Sequence, residues 1–226
     1  MASERAVKIP IESSATIVGD LRVPDTAVGL VIFAHGSDSG RHSPRNRAVA
    51  ESLNEAGLAT LLIDLLVEDE DTDDGGPRHP KWDIEMLSKR LAQTQEWTAD
   101  DPELGDLPVG YFGASTGAGA ALAAAARDPD RIAAVVSRGG RPDLAGDQLR
   151  RVKAPTLLIV GSRDTQVLEL NQQAAGRMTN EVRIAVVPGA THLFPEPGAL
   201  SQVAQLASDW FTTHMTAARQ RSQSSR

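Results

Sequence analysis

Gly113-Ala114-Ser115-Thr116-Gly117 lies between an apolar run, Val109 to Phe112, that reads as a strand and a small-residue run, Ala118 to Ala126, that reads as a helix. A serine with glycines two residues before and two after it, on a strand-to-helix turn, is the nucleophile-elbow pattern. So tight a turn strains the serine backbone and brings neighbouring backbone close enough that side chains at both flanking positions would clash, which glycine avoids. The hydroxyl is left exposed at the top of the sheet. Glycine and serine are common residues, so the pattern also arises by chance, and its weight depends on what surrounds it.

Outward from the elbow, apolar strand patterns alternate with helical ones. Val7 to Ile11 and Thr16 to Val23, separated by Glu12, Ser13 and Ser14, read as an antiparallel opening pair. Gly29 to Ala34 is a continuous apolar run, as expected of a strand buried on both faces, and ends in the polar turn His35-Gly36-Ser37-Asp38-Ser39-Gly40. Ser43 and Pro44 then offer an N-cap and first helical position for a helix that stops at Gly57. Thr60 to Leu66, Ile132 to Val136, Pro155 to Val160 and Val182 to Val187 supply the remaining strands, and helices follow through Ile84, Leu87 and Leu91, through Leu168 to Arg177, and through Leu200, Val203, Ala207, Trp210 and Phe211. This alternation predicts a mostly parallel eight-stranded sheet with helices on both faces and its strand ends gathered along one edge. Residues 1–218 are expected to form one α/β domain, and residues 219–226 a polar, disordered tail. Residues 67–80, with six acids among Glu68, Asp69, Glu70, Asp71, Asp73 and Asp74, read as a solvated mobile loop, a lid over the site being the sharper alternative.

Composition narrows the chemistry. The 226 residues suffice for one well-buried core. A net charge of −7 with no basic stripe argues against a nucleic-acid partner. The absence of cysteine excludes disulfides, thiolate metal sites and a cysteine nucleophile. Met1 to Pro10 lacks the apolar core of a secretory signal, and no run is long enough to span a bilayer. The expectation is a cytoplasmic protein, a monomer or homodimer, with no membrane or nucleic-acid partner.

At the predicted carboxyl ends of the strands lie Ser115, Asp164 and His192. A serine hydroxyl is a weak nucleophile until a base takes its proton, so His192 is the candidate base. A histidine in that role needs a carboxylate to fix its tautomer and stabilise the imidazolium, which points to Asp164. Asp164 could instead only cap the following helix, and Asp143 or Asp147 could supply the acid. His42 and His79 fall in loops, His214 on the face of the last helix, and His35 precedes the elbow. An oxyanion needs donors already in place; the candidates are the N–H groups of Thr116, at the start of the elbow helix, and of Ser37. Asp38 is expected to face outward or bind a substrate donor, since an inward carboxylate would oppose the developing charge. Arg138 and Arg141 follow Val136 near the same edge. Arg138 is the candidate contact for an anionic or polar substrate group, against the alternative of a solvated or loop-pairing arginine.

With the elbow, the order Ser, Asp, His, and the stretches GYFGASTG, LLIVGSRD and PGATHLF, the chain resembles the α/β-hydrolase superfamily, most closely its dienelactone-hydrolase-like branch. The resemblance covers nearly the whole chain and implies an α/β-hydrolase fold without a cap domain, hydrolysis of an ester or lactone through an acyl-enzyme, and no cofactor or metal. Dienelactone hydrolases proper have a cysteine where this chain has Ser115, a glutamate where it has Gly36, and an arginine, which helps hold a carboxylate substrate, where it has Glu196. A carboxylate at 196 facing the pocket would repel such a substrate. These departures point toward general hydrolysis of small esters or lactones, the alternatives being a thioesterase, amidase or peptidase on the same triad, or a non-catalytic binding protein of this fold.

Overall fold

The computed structural model describes residues 2–11, 15–37, 39–67, 69–70 and 79–224. Eight strands, β1 (Ser3–Pro10), β2 (Thr16–Val23), β3 (Leu30–Ala34), β4 (Ala59–Ile63), β5 (Val109–Ala114), β6 (Ile132–Arg138), β7 (Thr156–Gly161) and β8 (Val182–Val187), form one sheet in the order β1-β2-β4-β3-β5-β6-β7-β8. The first two pair antiparallel with each other and β2 runs antiparallel to β4; from β4 through β3 to β8 every pairing is parallel. The helices are α1 (Pro44–Glu55), α2 (Ile84–Ala99), α3 (Thr116–Arg127), α4 (Thr165–Ala175) and α5 (Ala199–Ser224), with a 3-10 segment at Pro142–Arg151 that kinks at Gly146.

Alternation along each central strand divides the core in two. Leu30, Ile32, Leu61, Tyr111 and Val135 face one layer with Leu87 and Leu91 of α2 and Ala120 to Ala126 of α3. Val31, Phe33, Phe112, Val136 and Ile159 face the other, with Val49 and Leu53 of α1 and Val203, Ala207, Phe211 and Met215 of α5. Small residues along α3 let it lie close on the sheet, and every residue from Thr116 to Ala126 is buried.

Several boundaries move for physical reasons. Strand β1 begins at Ser3, because its polar start is held from outside the strand: Arg5 pairs with Asp101 at 2.9 Å and Glu103 at 2.6 Å. Strand β4 stops at Ile63, and Asp64 turns away to accept the Arg41 N–H at 2.7 Å. Strand β6 runs on to Arg138, which is therefore not a loop residue. The disordered tail expected from residue 219 is corrected, since α5 continues to Ser224 and Arg219 Nη1 donates to the Ala27 carbonyl at 3.2 Å. Of residues 67–80, positions 68 and 71–78 lie outside the described residues, as do Asp38 and the Glu12–Ser14 connection. Among the described residues no helix is long and apolar enough to cross a membrane.

Candidate active site

Ser115 bridges β5 and α3 with φ 52° and ψ −123°, a left-handed conformation that few side chains adopt. Its backbone is pinned from β6 and the segment after it: the Ser115 N–H donates to the Arg138 carbonyl at 3.3 Å, and the Ser115 carbonyl accepts from Ala118 at 3.1 Å and Arg141 at 3.0 Å. The flanking glycines are required by space. A Cβ on Gly117 would stand 2.2 Å from the Ala34 carbonyl oxygen, and one on Gly113 would stand 2.4 Å from the Ala118 Cα. The elbow is thus wedged against the end of β3 on one side and its own helix on the other.

The loop after β3 reaches the serine. A Cβ on Gly36 would lie 3.1 Å from Ser115 Cβ. Two ties hold that loop: His35 Nε2 accepts the Leu65 N–H at 3.0 Å while its Nδ1–H faces the Gly36 carbonyl at 2.8 Å, and Asp64 grips Arg41. The Ser37 N–H donates to Thr116 Oγ1 at 2.9 Å. One candidate oxyanion donor is therefore engaged by the hydroxyl of the residue that carries the other. The Thr116 N–H, in the first turn of α3, makes no backbone hydrogen bond, as befits a helix N-terminus.

Asp164 and His192 meet on the far side. His192 Nδ1–H donates to Asp164 Oδ2 at 2.6 Å, a short charge-assisted bond. That bond leaves Nε2 as the ring's proton acceptor. Asp164 opens α4 but makes no capping bond from its side chain, so its carboxylate is spent on the histidine and not on the helix. The loops carrying the two are zipped together. Ser162 N–H donates to Val187, Arg163 N–H to Ala190, and Gly189 N–H to Ser162 Oγ, at 2.9, 2.9 and 2.7 Å. The rival acids are occupied elsewhere: Asp143 holds Arg141 through two bonds of 2.8 Å, and Asp147 pairs with Arg177. Of the other histidines, His42 is exposed beside Arg47, His79 caps the short Pro80–Trp82 turn, and His214 packs on Trp210, where burial lowers its pKa.

The histidine loop is built by residues the sequence pattern did not reveal. Phe194 takes φ 56° and is buried, anchoring the turn whose Phe194 N–H returns to the Thr191 carbonyl. Glu196 Oε1 accepts from the Thr191 hydroxyl at 2.6 Å and the Thr191 N–H at 3.1 Å. The Thr191 hydroxyl holds the Glu196 carboxyl below its ordinary pKa range. Glu196 Oε1 is thus turned onto its own loop, while Oε2 is enclosed without a partner among the described residues. Leu193, next to the histidine, is 46% exposed. A Cβ on Gly139 would stand 3.6 Å from His192 Cε1, so the ring lies over the end of β6, whose last residue holds the Ser115 amide. No hydrogen bond joins Ser115 Oγ to His192 in this state; such contacts commonly tighten only with substrate bound.

Arg138 is buried, at 6% exposure, which overturns the solvated or loop-pairing alternative; that role falls to Arg141.

The family model of the alpha/beta hydrolase domain matches residues 27–209, and the chain belongs to the α/β-hydrolase family, in its dienelactone-hydrolase-like branch. A solved structure of dienelactone hydrolase from Anabaena variabilis ATCC 29413 is similar at 52% identity, covering 94% of this chain and 98% of that one, with a TM-score of 0.91. Est1E from Butyrivibrio proteoclasticus, at 17% identity over 94% of this chain and 99% of its own, shares the fold with a TM-score of 0.78. A Mycobacterium tuberculosis (strain ATCC 25618 / H37Rv) protein named as a phosphoribosyl transferase is 58% identical over 199 residues, 88% of this chain and 44% of that protein. The chain spans about half the length of these curated relatives, and a name given to the longer protein carries no argument about this domain.

Proposed function

We propose that this domain is a serine hydrolase that cleaves small esters or lactones through an acyl-enzyme. Ser115 Oγ attacks the carbonyl carbon as His192 Nε2 takes its proton, and the electron pair moves onto the carbonyl oxygen. The N–H groups of Thr116 and Ser37 hold that oxygen, the Ser37 donor being shared with Thr116 Oγ1. Collapse expels the alkoxide, which leaves with the proton from His192. Water, deprotonated by the same nitrogen, then attacks the acyl-serine, and Ser115 Oγ departs with that proton from His192 as the acid is released. Asp164 fixes the Nδ1–H tautomer and balances the imidazolium charge. The observation that carries the proposal is the 2.6 Å bond between His192 Nδ1 and Asp164 Oδ2, on two zipped loops beside a strained serine. The absence of cysteine fits a cytoplasmic setting, which is part of the same proposal.

Treatment with a fluorophosphonate tests it. The wild type is expected to carry one adduct, on the peptide containing Ser115, and to lose hydrolysis of 4-nitrophenyl acetate in proportion. Ser115→Ala is expected to take up no label and to lose turnover. Wild-type kcat/KM is expected to fall on the acid side as His192 takes a proton and ceases to act as a base. Unchanged turnover in Ser115→Ala would overturn the proposal.

A further inference from the structure

Arg138 is a buried cation that no described residue balances. It ends β6 in register with Ala114, and its carbonyl accepts the amide of Ser115. Strand alternation puts its side chain on the face of Phe112 and Val136, the layer covered by α1 and α5. Among the described residues the guanidinium has no hydrogen-bond or ion-pair partner, and Nη1 is fully enclosed. This occurs in a chain with 30 acids against 23 bases. Burial, and then the neighbouring charge of Arg45, lower the Arg138 pKa to about 10, so the group remains charged at neutral pH. Arg45 itself sits in the first turn of α1 and, among the described residues, has no ion-pair partner and no partner for its enclosed Nε. No acid lies in that first turn. Two arginines and one helix N-terminus therefore come together, with no acid paired to either arginine among the described residues, at the strand end whose carbonyl holds the Ser115 amide.

An uncompensated buried charge costs several kcal/mol, and an arginine kept only for packing would be expected to satisfy its donors on carbonyls or acids. We infer that Arg138 and Arg45 form a binding subsite for an oxyanionic group of the substrate, a carboxylate or a phosphate, next to Ser115. The word substrate rests on the serine-hydrolase proposal; the anion site itself does not. Its residues lie at the end of β6 and the start of α1.

Two pairs of esters test the site, differing within each pair only in charge. 4-Acetoxybenzoate and its methyl ester place the charge on the leaving group; 4-nitrophenyl hydrogen adipate and 4-nitrophenyl methyl adipate place it on the acyl group. Wild-type kcat/KM is expected to favour the anion in at least one pair by roughly 10- to 100-fold, the worth of a charged hydrogen bond. Arg138→Met and Arg45→Met are expected to erase that ratio, and Arg138→Lys to retain part of it. Arg138→Met is also expected to melt at or above the wild-type temperature, because an unpaired charge is replaced by an apolar chain of similar size. A ratio unchanged in Arg138→Met, or no anionic preference in either pair, overturns the inference. Should none of the four esters turn over and Ser115 take no label, the hydrolase proposal fails separately, and calorimetric titration with benzoate and with inorganic phosphate still decides. Binding to wild type that is lost in Arg138→Met upholds the site and tells carboxylate from phosphate; equal or absent binding removes it.

Discussion

Ser115 concentrates in one residue the strain that the rest of the site supports. At φ 52° and ψ −123° an L-residue carries on the order of 1–3 kcal/mol of backbone strain, whereas glycine carries little. Its Oγ makes no hydrogen bond in this state, so truncating it removes a nucleophile and no structural contact. Ser115→Ala should therefore unfold at nearly the wild-type urea concentration. Ser115→Gly should be more stable than Ser115→Ala by ~1 kcal/mol, the released strain exceeding the ~0.5–1 kcal/mol that glycine's unfolded-state freedom takes back. Both variants should be inactive, which would mark the position as one where stability is given up for a pre-set hydroxyl. A Ser115→Gly protein less stable than Ser115→Ala would show that the turn is relaxed.

Elements, more than single side chains, decide how the two halves of the oxyanion site meet. Thr116 opens α3, Ser37 lies in the loop after β3, and a 2.9 Å bond from the Ser37 N–H to Thr116 Oγ1 ties them together. If that tie sets the distance between the two donors, Thr116→Val should lower kcat roughly tenfold, the loss of about one hydrogen bond, with little change in KM. Thr116→Ser should restore it. A valine variant at least as active as wild type would mean instead that the hydroxyl merely occupies the donor. This tie also marks where the sequence stopped being informative. Ser115, Asp164 and His192 could be singled out as candidates because they come one, three and five residues after the ends of β5, β7 and β8, and a strand whose two faces are both buried announces itself as a continuous run, as Thr156–Gly161 does. The Thr116–Ser37 bond, the Glu196 hook onto Thr191 and the burial of Arg138 could not, since each joins polar residues whose partners are chosen by three-dimensional approach and not by periodicity. The same holds for the end of α5. Residues 219–224 are polar all round and read as disordered, yet Ala217, Ala218, Arg219 and Gln220 are good helix formers, and the apolar face laid down by Phe211 and Met215 carries the helix past the sheet.

At the scale of the whole molecule, carboxylates held below their ordinary pKa range join distant parts of the chain. Glu70, after β4, takes two bonds of 2.5 and 2.7 Å from Arg90 of α2, and Arg90 hydrogen bonding is the main reason its pKa is lowered. Glu103, between α2 and β5, is lowered chiefly by its bond to Arg5 of β1. A carboxyl whose folded pKa lies below its unfolded value of about 4.3 adds stability that is complete above that value and disappears as pH falls through the folded one. Arg5–Glu103 is exposed and should be worth less than about 1 kcal/mol after screening, whereas Arg90–Glu70 is part-buried and screened less. The urea midpoint of the wild type should accordingly hold steady from pH 7 down to about 5, then fall as these groups protonate. Glu70→Gln with Glu103→Gln should start from a lower midpoint at pH 7 and decline less steeply, so that the two curves converge near pH 3. The sequence pI of about 5.2 places the solubility minimum inside this range, and dilute protein is needed there to keep association from masking the transition. Raising the salt concentration at pH 7 should narrow the gap between the two proteins, chiefly through the exposed Arg5–Glu103 pair, because exposed charges are screened over a Debye length of about 10 Å at 0.1 M. Curves that stay parallel down to pH 3 would assign the acid loss to other groups and leave these two bridges with no share in holding β1, α2 and the β4 loop together.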